Sequence, residues 1–274
     1  MRIAVLQMNA GIDPRVNAAS IVAAMAQAAA GGANMIFTPE MSGCLDQDRA
    51  RSDIAIVPEA RDIVLAAVRE AAGRLGLWTH IGSLAVRDEA SGKRRNRGFL
   101  IDDGGAIRAR YDKIHLFDVD LPNGESWRES AAYLGGTQAV LADTPWGALG
   151  LTICYDLRFP DLYRALSDAG ATLLAVPAAF TVPTGEAHWH VLLRARAIET
   201  ASFVIAAGQT GSHEDGRRTF GHSLVIDPWG TVLLDAGEDP GLYWADLPLE
   251  RTAEVRARIP VQRHRRPISS VMLS

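Results

Sequence analysis

The sequence predicts an α/β fold, a four-layer α/β/β/α sandwich with two mixed β-sheets packed face to face beneath outer helices. Three observations predict it. Strand-like and helix-like segments alternate through most of the chain, the pattern of helices packed on sheets. Three pairs of β-like runs are joined by short turn-forming stretches, and such hairpins exclude a purely parallel sheet. The runs 172–176 and 203–207 are apolar throughout, so they need cover on both faces. No Pro/Ser-rich linker, composition break or internal repeat divides the chain, which reads as one domain over residues 1–274.

Residues 2–8 read as a strand, the Ala-rich 16–30 as a helix and 34–38 as a second strand. A helix follows over 59–74, stopped by Gly76, and then a strand over 77–86. The first hairpin joins 98–101 to 106–111 through Asp102-Asp103-Gly104-Gly105, whose glycines can supply positive φ. The second joins 139–141 to 147–153 across Asp143-Thr144-Pro145-Trp146, and the third joins 223–226 to 231–234 across Asp227-Pro228-Trp229-Gly230. Helices are predicted at 160–169, 186–200 and 249–257.

Composition narrows the function. The 28 Lys and Arg against 32 Asp and Glu give a net charge of −4, and 48% hydrophobic with 22% charged residues is ordinary for a globular protein. Both argue against a polyanion-binding or disordered chain. The C-terminal Arg256, Arg258, Arg263, Arg265 and Arg266 form a basic run, but without interleaved aromatics it reads as a solvated or subunit-contact tail rather than a nucleic-acid site. The apolar stretches 21–30 and 173–179 fall short of the ~20 residues a membrane span requires. The first eight residues look like a strand rather than a secretory signal, so the expected location is the cytoplasm. Cys44 and Cys154 show no Cys-x-x-Cys spacing, and neither a disulfide framework nor a zinc cluster is indicated. Phosphate-cradling glycine loops and the Gly-x-Ser-x-Gly elbow are absent. His188 and His190 lie where a helix begins, and positions two apart on a helix point about 200° from one another, so that pair holds no metal.

Three residues end strand-like runs. Cys154 sits where a buried strand turns toward a helix, a position at which backbone N–H groups can stabilise a thiolate or an oxyanion. Glu40 ends 35–40 behind Pro39, and burial there would raise its pKa into the range of a proton acceptor near neutral pH. Lys113 ends 109–113. Taken singly, each has an ordinary reading: a core thiol, a solvated acid, a solvent-facing lysine. Cys44, just after Glu40, reads as a pocket wall or an exposed thiol.

Together the three resemble the nitrilase, or carbon–nitrogen hydrolase, superfamily. Its Glu-Lys-Cys constellation occurs in contexts like Phe37-Thr38-Pro39-Glu40, Tyr111-Asp112-Lys113-Ile114-His115-Leu116 and Ile153-Cys154-Tyr155-Asp156-Leu157-Arg158-Phe159-Pro160. The resemblance covers almost the whole chain, and it implies the four-layer sandwich and a homodimer. It also implies a second glutamate near the cysteine, which the stretch Trp127-Arg128-Glu129-Ser130 assigns to Glu129, with Glu125 as the rival. The chemistry so implied is acyl transfer: Glu40 takes the thiol proton as Cys154 attacks an amide carbonyl. Lys113 and the N–H of Tyr155 stabilise the oxyanion, and no metal or organic cofactor is required.

Within the superfamily the chain resembles the branch of ω-amidases and deaminated-glutathione amidases. The motifs are Tyr111-Asp112-Lys113-Ile114-His115-Leu116-Phe117-Asp118-Val119-Asp120, Ala187-His188-Trp189, Leu193-Arg194-Ala195-Arg196-Ala197-Ile198-Glu199 and Gly221-His222-Ser223. Gln209-Thr210-Gly211-Ser212-His213 leans toward the second substrate. The expected reaction is hydrolysis of a small carboxylated amide, deaminated glutathione, to 2-oxoglutarate and cysteinylglycine. Arg158 is the candidate for a substrate carboxylate, its other reading being an ion pair with Asp156 or Asp161. The alternatives are an ω-amidase acting on 2-oxoglutaramate or 2-oxosuccinamate, an N-carbamoyl amino acid hydrolase and, outside enzymes, a binding module on this fold. A binding module has no need of all three residues.

Overall fold

The computed structural model describes residues 1–120, 124, 126–268, 270 and 272. One sheet takes β1 (Arg2–Gln7), β2 (Met35–Phe37), β3 (Trp78–Arg87), β4 (Arg94–Ile101) and β5 (Ile107–Asp112) in chain order. A ribbon of β6 (Asp118–Asp120) and β7 (Ser126–Arg128) follows. The second sheet is built from β8 (Val140–Thr144), β9 (Gly147–Leu151), β10 (Leu173–Ala175) and β11 (Phe203–Ala206). After a second ribbon of β12 (Thr210–Ser212) and β13 (Arg218–Phe220), that sheet is completed by β14 (Leu224–Ile226) and β15 (Val232–Asp235). The last strand, β16 (Gly241–Asp246), returns to the first sheet and pairs antiparallel with β1. Both six-stranded sheets are mixed: β1, β2 and β3 run parallel, as do β9, β10 and β11, and hairpins flank them.

The period-2 alternation of a strand sorts side chains between two cores. On β1, Ile3 and Val5 face the second sheet, while Ala4 and Leu6 face α1 (Pro14–Ala30). The outer layer on that side is α1 together with α3 (Ile63–Leu75), after a short α2 (Arg49–Ala55). On the far side α4 (Pro160–Asp168) and α5 (Val182–Thr200) bury Leu162, Leu166, Trp189 and Leu193 against β9, β10 and β11. The sheets meet through Met35, Phe37 and Leu100 on one side and Leu149, Leu151 and Leu173 on the other, the layering the sequence predicts.

Several boundaries differ for physical reasons. The helix expected over 59–74 is interrupted, because Asp62 adopts extended backbone and caps a new start by accepting from Leu65 N at 2.8 Å. Its stop at Gly76 is as expected, in the left-handed region at φ 61°. The helix expected from 186 begins at Val182, with Pro183 in the first turn where its missing N–H costs nothing. The tail opens with α6 (Glu250–Arg258) and α7 (Val261–His264), and Arg256 is spent on the carbonyls of Ala171 and Ala201. Residues 269, 271, 273 and 274 of the tail lie outside the described residues.

His80, on β3, is fully buried, and burial pushes its imidazole down to about 3. The unfolded chain binds a proton near pH 6.5 that the folded chain refuses. Stability from this group is therefore full above the unfolded value and falls by ~1.4 kcal/mol per pH unit toward the folded one. Urea midpoints should drop as the pH is lowered from neutrality, and less steeply in His80→Gln. An identical pH slope in that variant would contradict the assignment.

Candidate active site

Glu40 lies three residues beyond β2, in a loop clamped from several sides. Thr38 N donates to His80 O at 3.0 Å, Met41 N to Ser83 Oγ at 2.9 Å, and Gln209 Nε2 to the carbonyl of Glu40 at 3.0 Å. Gly82 lets β3 run under this loop, since a Cβ there would stand 2.2 Å from Thr38 O and 2.4 Å from Pro177 Cβ. Glu40 is 4% exposed. Its Oε1 accepts from Lys113 Nζ and Asn96 Nδ2, both at 2.8 Å, and its Oε2 from Ala179 N at 2.9 Å.

Lys113 follows β5, its N–H donating to Asn96 O at 2.9 Å and its carbonyl accepting from Gly136 N at 2.8 Å. Its ammonium, fixed between two acids, also reaches Glu129 Oε2 at 3.0 Å. Glu129 opens a one-turn helix after β7, and its Oε2 accepts from Phe117 N at 2.7 Å. Asn96 Nδ2 donates to Glu129 Oε1 at 3.2 Å as well as to Glu40, so one amide spans both carboxylates. Glu125 lies outside the described residues.

Cys154 stands three residues past β9 with φ 49°, a left-handed conformation at the start of the one-turn helix Cys154–Arg158. Its N–H donates to Pro177 O at 2.8 Å. Asp156, fully buried, anchors the turn: it accepts from Ile153 N at 2.9 Å, Tyr111 Oη at 2.6 Å and His115 N at 3.0 Å. Asp156 is thus occupied within the fold and does not pair with Arg158. The Cys154 side chain lines the same cavity as those of Glu40 and Lys113, whose charges both act on the thiol.

The charges settle by burial and by one another. Burial pushes the Cys154 thiol well up, and the neighbouring carboxylate of Glu40 adds to that. Burial alone would raise Glu40, but the Lys113 ammonium beside it outweighs this and holds the carboxyl below its ordinary value. The expected upward shift of Glu40 is therefore reversed. Lys113 is held well above its ordinary value because Glu129 and Glu40 outweigh its own desolvation. The resting site sets a neutral thiol beside the Glu40 carboxylate and the Lys113 ammonium.

These groups open onto a cavity of about 700 Å³ whose wall includes Tyr155, Phe180 and Cys44. Cys44 is a pocket-wall thiol pushed by burial to about 11, with its sulfur 3.4 Å from Ile12 O. Arg158 is not in that wall. Its guanidinium lies 3.3 Å from His188 Nδ1 and over the Phe180 ring at 5.4 Å. The cationic wall is instead made by Arg49, Arg94, Arg128, Arg217 and Arg218. Arg94, Arg128 and Arg217 are paired with Asp53, Asp120 and Asp215, whereas Arg49 and Arg218 form no ion pair among the described residues. Asn96 and Gln209 escape the sequence reading as site residues. The available signal for Asn96 was its place on β4, two residues from Arg94, which puts both polar side chains on the same inward face.

A two-sheet sandwich whose cleft gathers an acid, an ammonium and a thiol defines a hydrolase of the nitrilase type. The chain belongs to the carbon–nitrogen hydrolase family, whose sequence model matches residues 2–257. It is 51% identical over 177 residues to the deaminated glutathione amidase of Synechocystis sp. (strain PCC 6803 / GT-S), a match spanning 64% of this chain and 65% of that protein. To the deaminated glutathione amidase of Yersinia enterocolitica it is 41% identical, over 98% of this chain and 94% of that one. Among solved structures it resembles a variant of the amidase from Nesterenkonia sp. AN1 carrying acrylamide on its active-site cysteine. The TM-score is 0.79 at 30% identity, covering 95% of this chain and 98% of that one.

Proposed function

We propose that the protein is a cysteine-dependent amidase that splits deaminated glutathione into 2-oxoglutarate and cysteinylglycine. The observation that carries the mechanism is the junction at Glu40, where the Lys113 ammonium sits 2.8 Å from one carboxylate oxygen and the Cys154 side chain lines the same cavity. Cys154 attacks the amide carbon as its proton passes to Glu40. In the resting site that transfer runs uphill, from a raised thiol to a lowered carboxyl. It becomes easier when the ammonium turns toward the new oxyanion and loosens its hold on Glu40. The N–H of Tyr155 is the second oxyanion donor. Glu40 returns the proton to the departing amine as the C–N bond breaks, then takes one from water as hydroxide adds to the thioester. Collapse releases 2-oxoglutarate and restores the thiol. Glu129 and Asn96 hold Lys113 and Glu40 in place.

The activity for which the relatives are named supports this substrate, and so does the wall of guanidinium groups, whose fork geometry suits carboxylates at both ends of a small acyl compound. Arg49 and Arg218 take that role in place of Arg158. We read residues 1–274 as one catalytic domain of a cytoplasmic homodimer. Exposed Val191, Ile198 and Trp229 and the exposed tail residues Ile268 and Met272 support subunit contacts.

The test follows ammonia and 2-oxo acid separately with purified protein. Deaminated glutathione should yield the oxo acid without ammonia, at a higher kcat/KM than 2-oxoglutaramate, which yields both. A reversed preference would make the protein an ω-amidase, and no turnover of any amide would reject the reading. Asn96→Leu removes the donor shared by the two glutamates, and hydrogen bonds to charged groups contribute ~1.5–3 kcal/mol. We expect kcat to fall roughly 10- to 100-fold with KM little changed. Unchanged kcat would exclude a positioning role for that amide.

A further inference from the structure

We propose that His190, His222 and Asp235 form a site for one divalent transition-metal ion of the zinc type, outside the catalytic cleft. The three come from different elements: His190 from α5, His222 from the turn between β13 and β14, and Asp235 from the end of β15. Their donor atoms all lie within 4.8 Å of one another. His190 Nε2 is 3.0 Å from Asp235 Oδ2, and His222 Nδ1 is 2.8 Å from Asp235 Oδ1. In a tetrahedral site with ~2.0–2.1 Å bonds, neighbouring ligand atoms stand ~3.3 Å apart. Both nitrogen–oxygen contacts are within about half an ångström of that length but use different carboxylate oxygens, so the three side chains must re-aim toward a common centre as an ion enters. Two imidazoles and a carboxylate are a zinc donor set, and partial exposure of all three side chains leaves the fourth position to water.

The ligands are also braced by groups that would not touch the ion. His222 is held in the left-handed region at φ 49°, its N–H donating to Gly237 O at 2.7 Å and its carbonyl accepting from Trp189 Nε1 at 2.7 Å. Phe220 stacks on the His222 ring at 4.5 Å and meets His190 edge-on at 6.1 Å. Asp235 Oδ1 also accepts from Gly237 N at 3.0 Å. Such outer partners keep ligand rings aimed at an ion. His188 takes no part, its Nδ1 being occupied by Arg158.

Binding balances without redox chemistry. Without an ion, His190 Nε2 and His222 Nδ1 each lie within hydrogen-bond distance of the carboxylate. When the ion arrives, each ring carries its proton on the other nitrogen and offers the inner lone pair. Starting from neutral rings, two nitrogen–carboxylate contacts are replaced by two metal–nitrogen bonds and at least one metal–oxygen bond, with no net proton released. An ion there would pin the β13–β14 turn to α5 and β15, and β13 carries Arg218 and Thr219 of the cavity wall.

The experiment titrates Zn²⁺ into chelator-stripped full-length Cys154→Ala protein by calorimetry, so that the cleft thiol does not compete, and repeats it with Co²⁺ while recording the visible spectrum. One ion per chain should bind with a micromolar Kd, and Co²⁺ should show the intense bands of tetrahedral coordination. Adding His190→Gln, or separately His222→Asn, which tolerates the left-handed turn, should weaken binding at least tenfold. The site is excluded if no saturable binding occurs below millimolar Zn²⁺, or if binding is unaltered in both ligand variants. These readouts do not depend on the amidase reading.

Discussion

Cys154→Ala is expected to abolish amide turnover, by on the order of 10⁴-fold or more, while the chain stays folded. The sulfur makes the new covalent bond in the proposed reaction, and no neighbour can replace it. Cys44, the other thiol on the cavity wall, is pushed to about 11 by burial and faces the Ile12 carbonyl. The fold should tolerate the change because the turn around residue 154 is held by Asp156 through Ile153, Tyr111 and His115, with no contribution from the sulfur. Alanine meets the same left-handed backbone at φ 49° that cysteine already occupies. The missing sulfur should cost only ~1 kcal/mol of stability. Rapid quenching of the parent enzyme with substrate should leave a 2-oxoglutaryl mass on Cys154, and the variant should show none. Full activity without the sulfur would refute the mechanism.

The positions of the three central residues were legible because each follows the C-terminal end of a strand-like run. Chain position alone says where Glu40, Lys113 and Cys154 emerge. It does not say how far apart they stand, and that distance decides the charge state. Without knowing that the Lys113 ammonium lies 2.8 Å from Glu40, burial was the visible influence, and it points the carboxyl the wrong way. Glu129 became visible only through family resemblance, since its loop carries no periodic pattern. β16 was missed because an edge strand with few buried residues, paired to β1 at the other end of the chain, leaves little local signature. Arg158 looked suitable because it is near Cys154 in sequence, but its turn of helix carries it out to His188 and away from the cavity wall. The His190, His222 and Asp235 cluster was hidden for the same reason that His188 and His190 were rightly separated: helical geometry divides sequence neighbours and lets distant segments supply the partners.

Replacing Lys113 by alanine should reduce kcat by roughly 10³-fold or more with a much smaller effect on KM. Loss of one oxyanion donor accounts for ~2.7–4 kcal/mol of that barrier. A second effect comes from the acids left behind. Glu40 and Glu129 share the donor of Asn96, and without the ammonium they face each other buried and uncompensated. One proton should then be retained between them, and the acid limb of the kcat/KM profile should move to higher pH.

The stability profile changes in the same direction. In the parent protein the lowered Glu40 contributes stability that is present above its ordinary value of 4.5 and is lost as pH falls through its folded value. Lys113, raised above 10.5, contributes stability that is complete below that value and is lost as pH rises through its folded value. Both contributions vanish together in the variant. Near neutral pH it should be destabilised by ~3–5 kcal/mol, the usual consequence of breaking a buried ion pair from one side. Adding Glu129→Gln to Lys113→Ala removes one of the two stranded charges, so it should recover part of that stability and return the acid limb toward lower pH. It should not recover the rate, because the oxyanion still lacks its ammonium. Recovery of rate in the double variant would show that Lys113 acts only by balancing the two glutamates and not on the reacting oxygen, whereas an acid limb that does not move in Lys113→Ala would show that it does not balance them.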